Sequence, residues 1–173
     1  MPLLFCEIIH LSLSLLVFFI VWRIWKKPAP AFLAAITTGF LVDVDHWFDY
    51  FLAFGFNINL EAFFQGYQFL KTDRIYLLFH GWEYVPILLS FVFILKSKLA
   101  KTIFLAASLS LFLHLSFDSV SNEGLKGAQF YSITYRAMNN FELEKMATKE
   151  HYEKHLELKK RVELGLEQLE VKK

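Results

Sequence analysis

Between residues 39 and 50 the chain reads GFLVDVDHWFDY, which sets Asp43, Asp45, His46 and Asp49 within seven positions at the end of an apolar run. Acid and imidazole recur together elsewhere. Glu7 and His10 are three apart, His80 and Glu83 are three apart, and His114 and Asp118 are four apart, spacings that make each pair neighbours on a helix surface. Carboxylate oxygens and neutral imidazole nitrogens are ligands that zinc, manganese and iron accept. The pattern therefore predicts a divalent metal site, zinc first with manganese or iron as alternatives. Its candidate ligands are His10, Asp43, Asp45, His46, His80, His114 and Asp118. Seven donors exceed the three or four protein ligands of a single catalytic zinc, so one or two ions are expected. Glu83 and Asp49 are the candidate catalytic groups, placed to take a proton from a water that the metal acidifies. The one cysteine, Cys6, leaves no thiol pair for a disulfide, a zinc finger or a redox couple.

The elements that must carry these residues are hydrophobic. The chain has 173 residues, 55% of them hydrophobic, and its charges concentrate in the final third, a combination that points to a membrane protein. Four apolar stretches stand out: Leu3 to Trp22, Ala31 to about Phe56, Tyr76 to Leu95, and Thr102 to about Val120. The expected architecture is all-α, a polytopic bundle of four transmembrane helices with interfacial segments and a C-terminal amphipathic helix. The first stretch lacks the basic start and small-residue cleavage site of a secretory signal, so it reads as a retained span. Residues 1–140 form the expected transmembrane unit, and residues 141–173 the charged helix, with Tyr152, Leu156, Val162, Leu166 and Leu169 at helical spacing. That helix could stand solvated, lie on the interface or pair with a second copy. A net charge of +1 and the lack of a basic stripe among aromatics argue against a nucleic-acid partner.

Two short basic connections, RIWKKPAP and KSKLAK, are of the kind retained in the cytoplasm. They predict a multi-pass inner-membrane protein whose N-terminus, polar site and tail are extracytoplasmic. With alternate spans running in opposite directions, His10, Asp43 to Asp49, His80 with Glu83, and His114 with Asp118 all fall in the outer half. Their agreement in depth survives inversion of the whole topology.

Cost sharpens the question. An acid at mid-span costs on the order of 2.5–3.5 kcal/mol to insert, and six acids lie within the four stretches, with no lysine or arginine except at the ends. Protonation or hydration could neutralise some of them, but a bound cation would also explain the accompanying histidines. Each residue has a plainer reading when taken alone. A single buried histidine can hydrogen-bond a neighbouring helix, Glu7 can reach interfacial water, and His151 and His155 can be solvated members of the charged tail. It is the constellation that argues for metal.

The segment LVDVDHWFD resembles the Leu-Pro-Asp-x-Asp-His signature of the membrane-bound metal-dependent hydrolases, the family that includes the LexA-regulated YdjM-type inner-membrane proteins. His10, then Asp43, Asp45 and His46, then His80, then His114 and Asp118 follow the order of that family's motifs across roughly residues 5 to 140. Val42 stands where the family has proline. The third motif, HGWEYV, keeps its first histidine but not its second, leaving Glu83 as the substitute ligand or base. The resemblance implies a hydrolase using metal-activated water, and the depth of the site suits a lipid-like or lipid-linked ester or phosphoester. The alternatives are a proton or metal-ion transporter subunit, and a non-catalytic scaffold that keeps the fold and recruits partners through its tail.

Overall fold

The computed structural model describes residues 3–122 and 124–163. It is helical, with no strand among the described residues. Two helices are long and apolar enough to cross a membrane: α1 (Leu3–Trp25) and α7 (Lys98–Ser121). At 1.5 Å per residue each is roughly 35 Å long, against a hydrocarbon core of about 30 Å.

The burial pattern of α1 is inverted relative to a soluble core helix. Its inward row, His10, Ser14, Val17 and Val21, is small or polar, whereas Phe5, Ile8, Leu16, Phe19 and Ile24 face outward. Only 22% of the α1 span is buried. A contiguous apolar surface of this kind marks contact with a membrane or another protein. On α7 the inward row runs Thr102, Ala106, Ser110, His114 and Asp118, each four residues after the last and all buried. One row thus provides small residues for close packing at one end and ligand-type residues at the other. Small residues let membrane helices approach closely, and α7 packs against α1, α2 and α6 in this way.

The second and third apolar stretches are not continuous helices. The second divides into α2 (Pro28–Gly39), a 3-10 turn (Leu41–Asp45) and α3 (His46–Phe54). Pro28 and Pro30 sit in the first turn of α2, where a missing N–H costs nothing. The break comes at Phe40 with no proline beside it. There Gly39 is pressed into α1 and α7, so that a Cβ would lie 2.8 Å from Ser110 Cβ and would also strike the Ser14 hydroxyl. In the third stretch only α6 (Tyr84–Ile94) is helical. Residues 75–83 are held irregular by external hydrogen bonds. At 12 and 11 residues, α2 and α6 reach only about 18 and 16 Å, roughly half of the hydrocarbon thickness.

The remaining chain caps one end. Helices α4 (Leu60–Phe64) and α5 (Tyr67–Thr72) occupy the connection between the second and third apolar stretches. Tyr50 ties α3 to the start of α4 by donating to the Asn57 carbonyl and accepting from the Asn59 N–H. After a short 3-10 turn at Gly127–Gln129 come α8 (Ile133–Met138), α9 (Leu143–Met146) and α10 (Lys149–Glu163). The tail is therefore two helices interrupted at Ala147 and Thr148, not one from Glu142; Leu166, Leu169 and the stretch on to Val171 lie outside the described residues. Packing is continuous across Asn140, because Leu143, Met146 and Ala147 share a core with Leu77, Leu111 and Leu115. Val162 of α10 joins Tyr50, Ala62, Tyr67 and Leu70.

Asp73, at the end of α5, tethers α10 through His155 Nε2 at 2.9 Å and the Lys159 ammonium. Burial alone would raise the Asp73 carboxyl, but these hydrogen bonds outweigh it and hold it below its ordinary value of 3.8. A carboxyl whose pKa is depressed by folding adds stability above its unfolded pKa and loses it as the pH falls through the folded value. Docking of α10 should therefore be complete at neutral pH and weaken on acidification below pH 3.8, and Asp73→Asn should weaken it already at neutral pH; amide exchange over residues 149–163 reads both. Gly39→Ala should lower stability by about 1–3 kcal/mol through overpacking, measured by thermal unfolding in detergent.

Candidate metal centre

Four chain segments meet at one level. His10 lies 15 residues above the end of α1, and His114 lies 16 above the start of α7, about 22 and 24 Å respectively along their axes. α2 climbs about 16 Å, and the four steps from Gly39 through Phe40 and into the 3-10 turn, at about 2 Å each, bring Asp43 to the same height. The 3-10 turn matters for direction as well, because it eclipses residues three apart. It points Asp43 and His46 the same way, with Nε2 to Oδ1 at 3.6 Å.

Asp43 is the hub. Its Oδ1 lies 3.1 Å from His80 Nε2 and 3.7 Å from His114 Nε2, while its Oδ2 lies 3.3 Å from His10 Nδ1. Asp118 faces it across the site. The two oxygens of Asp118 reach His10 Nε2 at 3.1 Å and His114 Nε2 at 3.2 Å. Two ligand atoms on a tetrahedral zinc stand about 3.4 Å apart, given bonds of about 2.0–2.2 Å. Separations of 3.1 to 3.7 Å match that spacing. Three sets of donors have atoms within 4.8 Å of one another: His10, His114 and Asp118; Asp43, His46 and His80; and Glu7, His10 and Asp43.

The hydrogen bonds behind the rings fix the tautomers. His80 Nδ1 lies 3.0 Å from the Asp45 carboxylate, and His114 Nδ1 lies 3.1 Å from the Gly39 carbonyl. Neither oxygen can donate, so both Nδ1 atoms carry hydrogen and, in the neutral rings, both Nε2 atoms present lone pairs. These two nitrogens face each other at 3.1 Å. Two lone pairs converging beside two carboxylates repel unless a proton or a cation lies among them. A carboxylate or carbonyl that fixes the far nitrogen of a ligand histidine is the usual second layer of a metal site. His10 Nδ1 and Asp43 Oδ2 are buried 3.3 Å apart, and neither makes a well-aligned hydrogen bond.

The structure thus brings together His10, Asp43, His46, His80, His114 and Asp118, and stations the other three predicted residues behind them. Asp45 orients His80 and accepts the Phe79 N–H at 2.8 Å from the same oxygen. Asp49 accepts the N–H groups of Tyr76 and Leu77 at 2.8 and 3.0 Å, one on each oxygen. Glu83 accepts the Ile133 and Thr134 N–H groups and the Ser132 hydroxyl. Asp49 and Glu83, the candidate proton acceptors, both hold backbone N–H groups in place. Glu7, expected to be incidental, stands beside His10 and Asp43.

Arg136 is the residue whose part the sequence did not disclose. It is completely buried, and its guanidinium donates to the carbonyls of Phe130, Leu77 and His80. Burial lowers its pKa from the ordinary 12.5, against the raising influence of the Asp45 and Glu83 carboxylates. A cation does therefore lie near the acids, delivered from outside the apolar stretches. Its one sequence signal is position: it is the only basic residue between Lys126 and Lys145, in an aromatic-rich segment.

Two cavities, of about 310 and 300 Å³, reach the cluster. The first runs past Glu7, His10, Asp43 and Gln68; the second passes His80 and Tyr131 to His151 and His155 on α10. His46, Phe69 and Asp118 line both. Comparison with known proteins finds no family model, curated protein or solved structure that matches this chain.

Because Asp45 acts through His80, Asp45→Asn should weaken zinc binding about 10–100-fold while leaving the cluster's donors in place. Asp49→Asn should lower thermal stability more than zinc affinity. Metal titration calorimetry paired with thermal unfolding separates the two outcomes.

Proposed function

We propose that this chain is an integral-membrane, metal-dependent hydrolase acting on an ester or phosphoester of a lipid or lipid-linked molecule. The observation that carries the reading is the pair of imidazoles whose Nδ1 atoms are tied down and whose Nε2 atoms converge with Asp43 and Asp118. Zinc suits these donors best, with manganese or iron as alternatives, as one or two ions. Such an ion supplies Lewis acidity, polarising the scissile group and lowering the pKa of water to about 7. In this reading His10, Asp43, His46, His80, His114 and Asp118 hold it. Asp45 and the Gly39 carbonyl keep two of those rings in the binding tautomer, and Arg136 fixes the loop that presents His80. The order of these residues also follows the motifs of the YdjM-type membrane hydrolases, which supports the same chemistry.

The floor beneath the cluster favours an enzyme over a carrier. A pathway needs polar groups staggered through the membrane. Below the cluster, Ser14 donates to the His10 carbonyl, Thr38 to those of Ala34 and Ala107, Thr102 to that of Lys98, and Ser108 to that of Val85. These hydroxyls are spent on backbone, between tightly packed Ala31, Ala35 and Ala106, and the buried Ser110 hydroxyl stands unpartnered against Gly39. In this topology four segments serve as spans, the second and third completed by irregular chain that lines the cavities, and the basic connections lie in the cytoplasm.

The detergent-purified protein should carry about one or two equivalents of zinc or manganese, measured by elemental mass spectrometry. His114→Ala and Asp43→Ala should lose the metal and reduce hydrolysis of a panel of lipid esters and phosphoesters by more than about 100-fold. Protein that is folded but binds no divalent ion would overturn the reading.

A further inference from the structure

Several buried polar atoms outside the proposed metal donors lack a hydrogen-bond partner, those of Trp25, Asp45, Ser110, Arg136 and Gln68, and of these residues only Gln68 lines the first cavity. Gln68, in the first turn of α5, is 2% exposed and lines the first cavity, and its Oε1 has no hydrogen-bond partner. An amide oxygen in that position is costly unless a donor arrives from a ligand. Glu7 lines the same cavity, one helical turn from His10. Phe63, Phe64 and Phe69 form its aromatic wall. Phe64 is also 61% exposed, so apolar surface borders the cavity, and Phe5, next in sequence to the lining residue Cys6, is 49% exposed.

The charges in this cavity are one-sided. Neither cavity is lined by a lysine or arginine among the described residues, whereas Glu7, Asp43 and Asp118 all face the first. Anionic groups in proteins are ordinarily met by Arg, Lys or helix N-termini. An anion placed beside Glu7, apart from the group held by the metal, would find like charge and no side-chain cation. A primary ammonium has the opposite fit. It carries three donors and no acceptor, which suits a cavity lined by the Glu7 carboxylate and the Gln68 amide, and aromatic faces attract it further.

We propose that the first cavity is a subsite for a primary ammonium group, carried by an amphiphile whose chain lies along the exposed aromatic surface at Phe5 and Phe64. This names the substrate class of the hydrolase reading and rests on that reading for the scissile bond, but ammonium binding itself needs no turnover.

Protein in a neutral maltoside detergent is titrated with lysophosphatidylethanolamine and with lysophosphatidylglycerol of the same chain length, and binding is read by native mass spectrometry. The ammonium-bearing lipid should bind about tenfold more tightly, roughly the effect of one charge-assisted hydrogen bond. Gln68→Leu should bring the two lipids within about threefold while zinc content stays unchanged, and Glu7→Gln should narrow the lipid preference to the same extent. Free ethanolamine that competes would identify the amine alone as sufficient; failure to compete with the lipid preference intact would identify the lipid as the source. Equal binding of the two lipids, tighter binding of the glycerol lipid, or a preference that survives both substitutions would overturn the subsite. Repeating the titration after chelation separates the two ideas: a protein that never held metal but keeps the preference sinks only the hydrolase reading, and one that holds zinc without the preference sinks only the subsite.

Discussion

A single carboxylate, that of Asp43, stands within 3.7 Å of nitrogens on four imidazoles, and the rest of the chain is arranged to put it there. The four rings come from α1, the start of α3, the loop before α6, and α7. A continuous second helix would not deliver this geometry. α2 instead stops at Gly39, where the backbone touches α1 and α7 and its carbonyl is left free to accept from His114. The 3-10 turn that follows stacks Asp43 over His46. Breaking the helix thus provides both a hub and a carbonyl that fixes a tautomer.

The acids of the apolar stretches divide into two kinds of burden. Asp45, Asp49 and Glu83 are met by backbone N–H groups, an imidazole or a hydroxyl, and each secures a piece of chain that has no helical hydrogen bonds of its own. They hold the 75–80 loop and the start of α8, with Arg136 clasping the carbonyls on the other side of that loop. In a bilayer, irregular backbone survives only where protein satisfies it, so these clamps are a condition for His80 to be where it is. Asp43 and Asp118 are met chiefly by histidines. They alone leave a net demand for positive charge at the centre, and that demand is smaller and more local than six uncompensated carboxylates would imply.

Much of this division lay beyond the reach of the sequence for physical reasons. The common depth of His10, Asp43, His80 and His114 was legible, because the lengths of apolar runs and their alternating direction determine height whether or not a run is broken. The break itself was not. Residues 31–56 have the composition of one long helix, and the interruption depends on how closely Gly39 meets Ser110, a contact 71 positions away. The roles of Asp49 and Glu83 were illegible for a similar reason, since the N–H groups they accept belong to segments 27 and 50 residues distant. Arg136 lay outside every apolar stretch, and nothing in its neighbours announces that it folds back to be completely buried.

The half-length of α2 and α6 has a consequence for access. Two full-length helices and two half-length helices pack together at one end, and loops and short helices close the other. Backbone that is not helical has to line a cavity or be buried in protein, and here it does both. The cavities open on the side of the irregular segments, while serines, threonines and alanines close the floor. Because His46, Phe69 and Asp118 line both cavities, the two meet at the cluster from different directions, one bordered by α1 and α4 and the other by α10. Asp118 is therefore open to both cavities and Asp43 to the first, so the cluster is reached from two sides and not through a single channel.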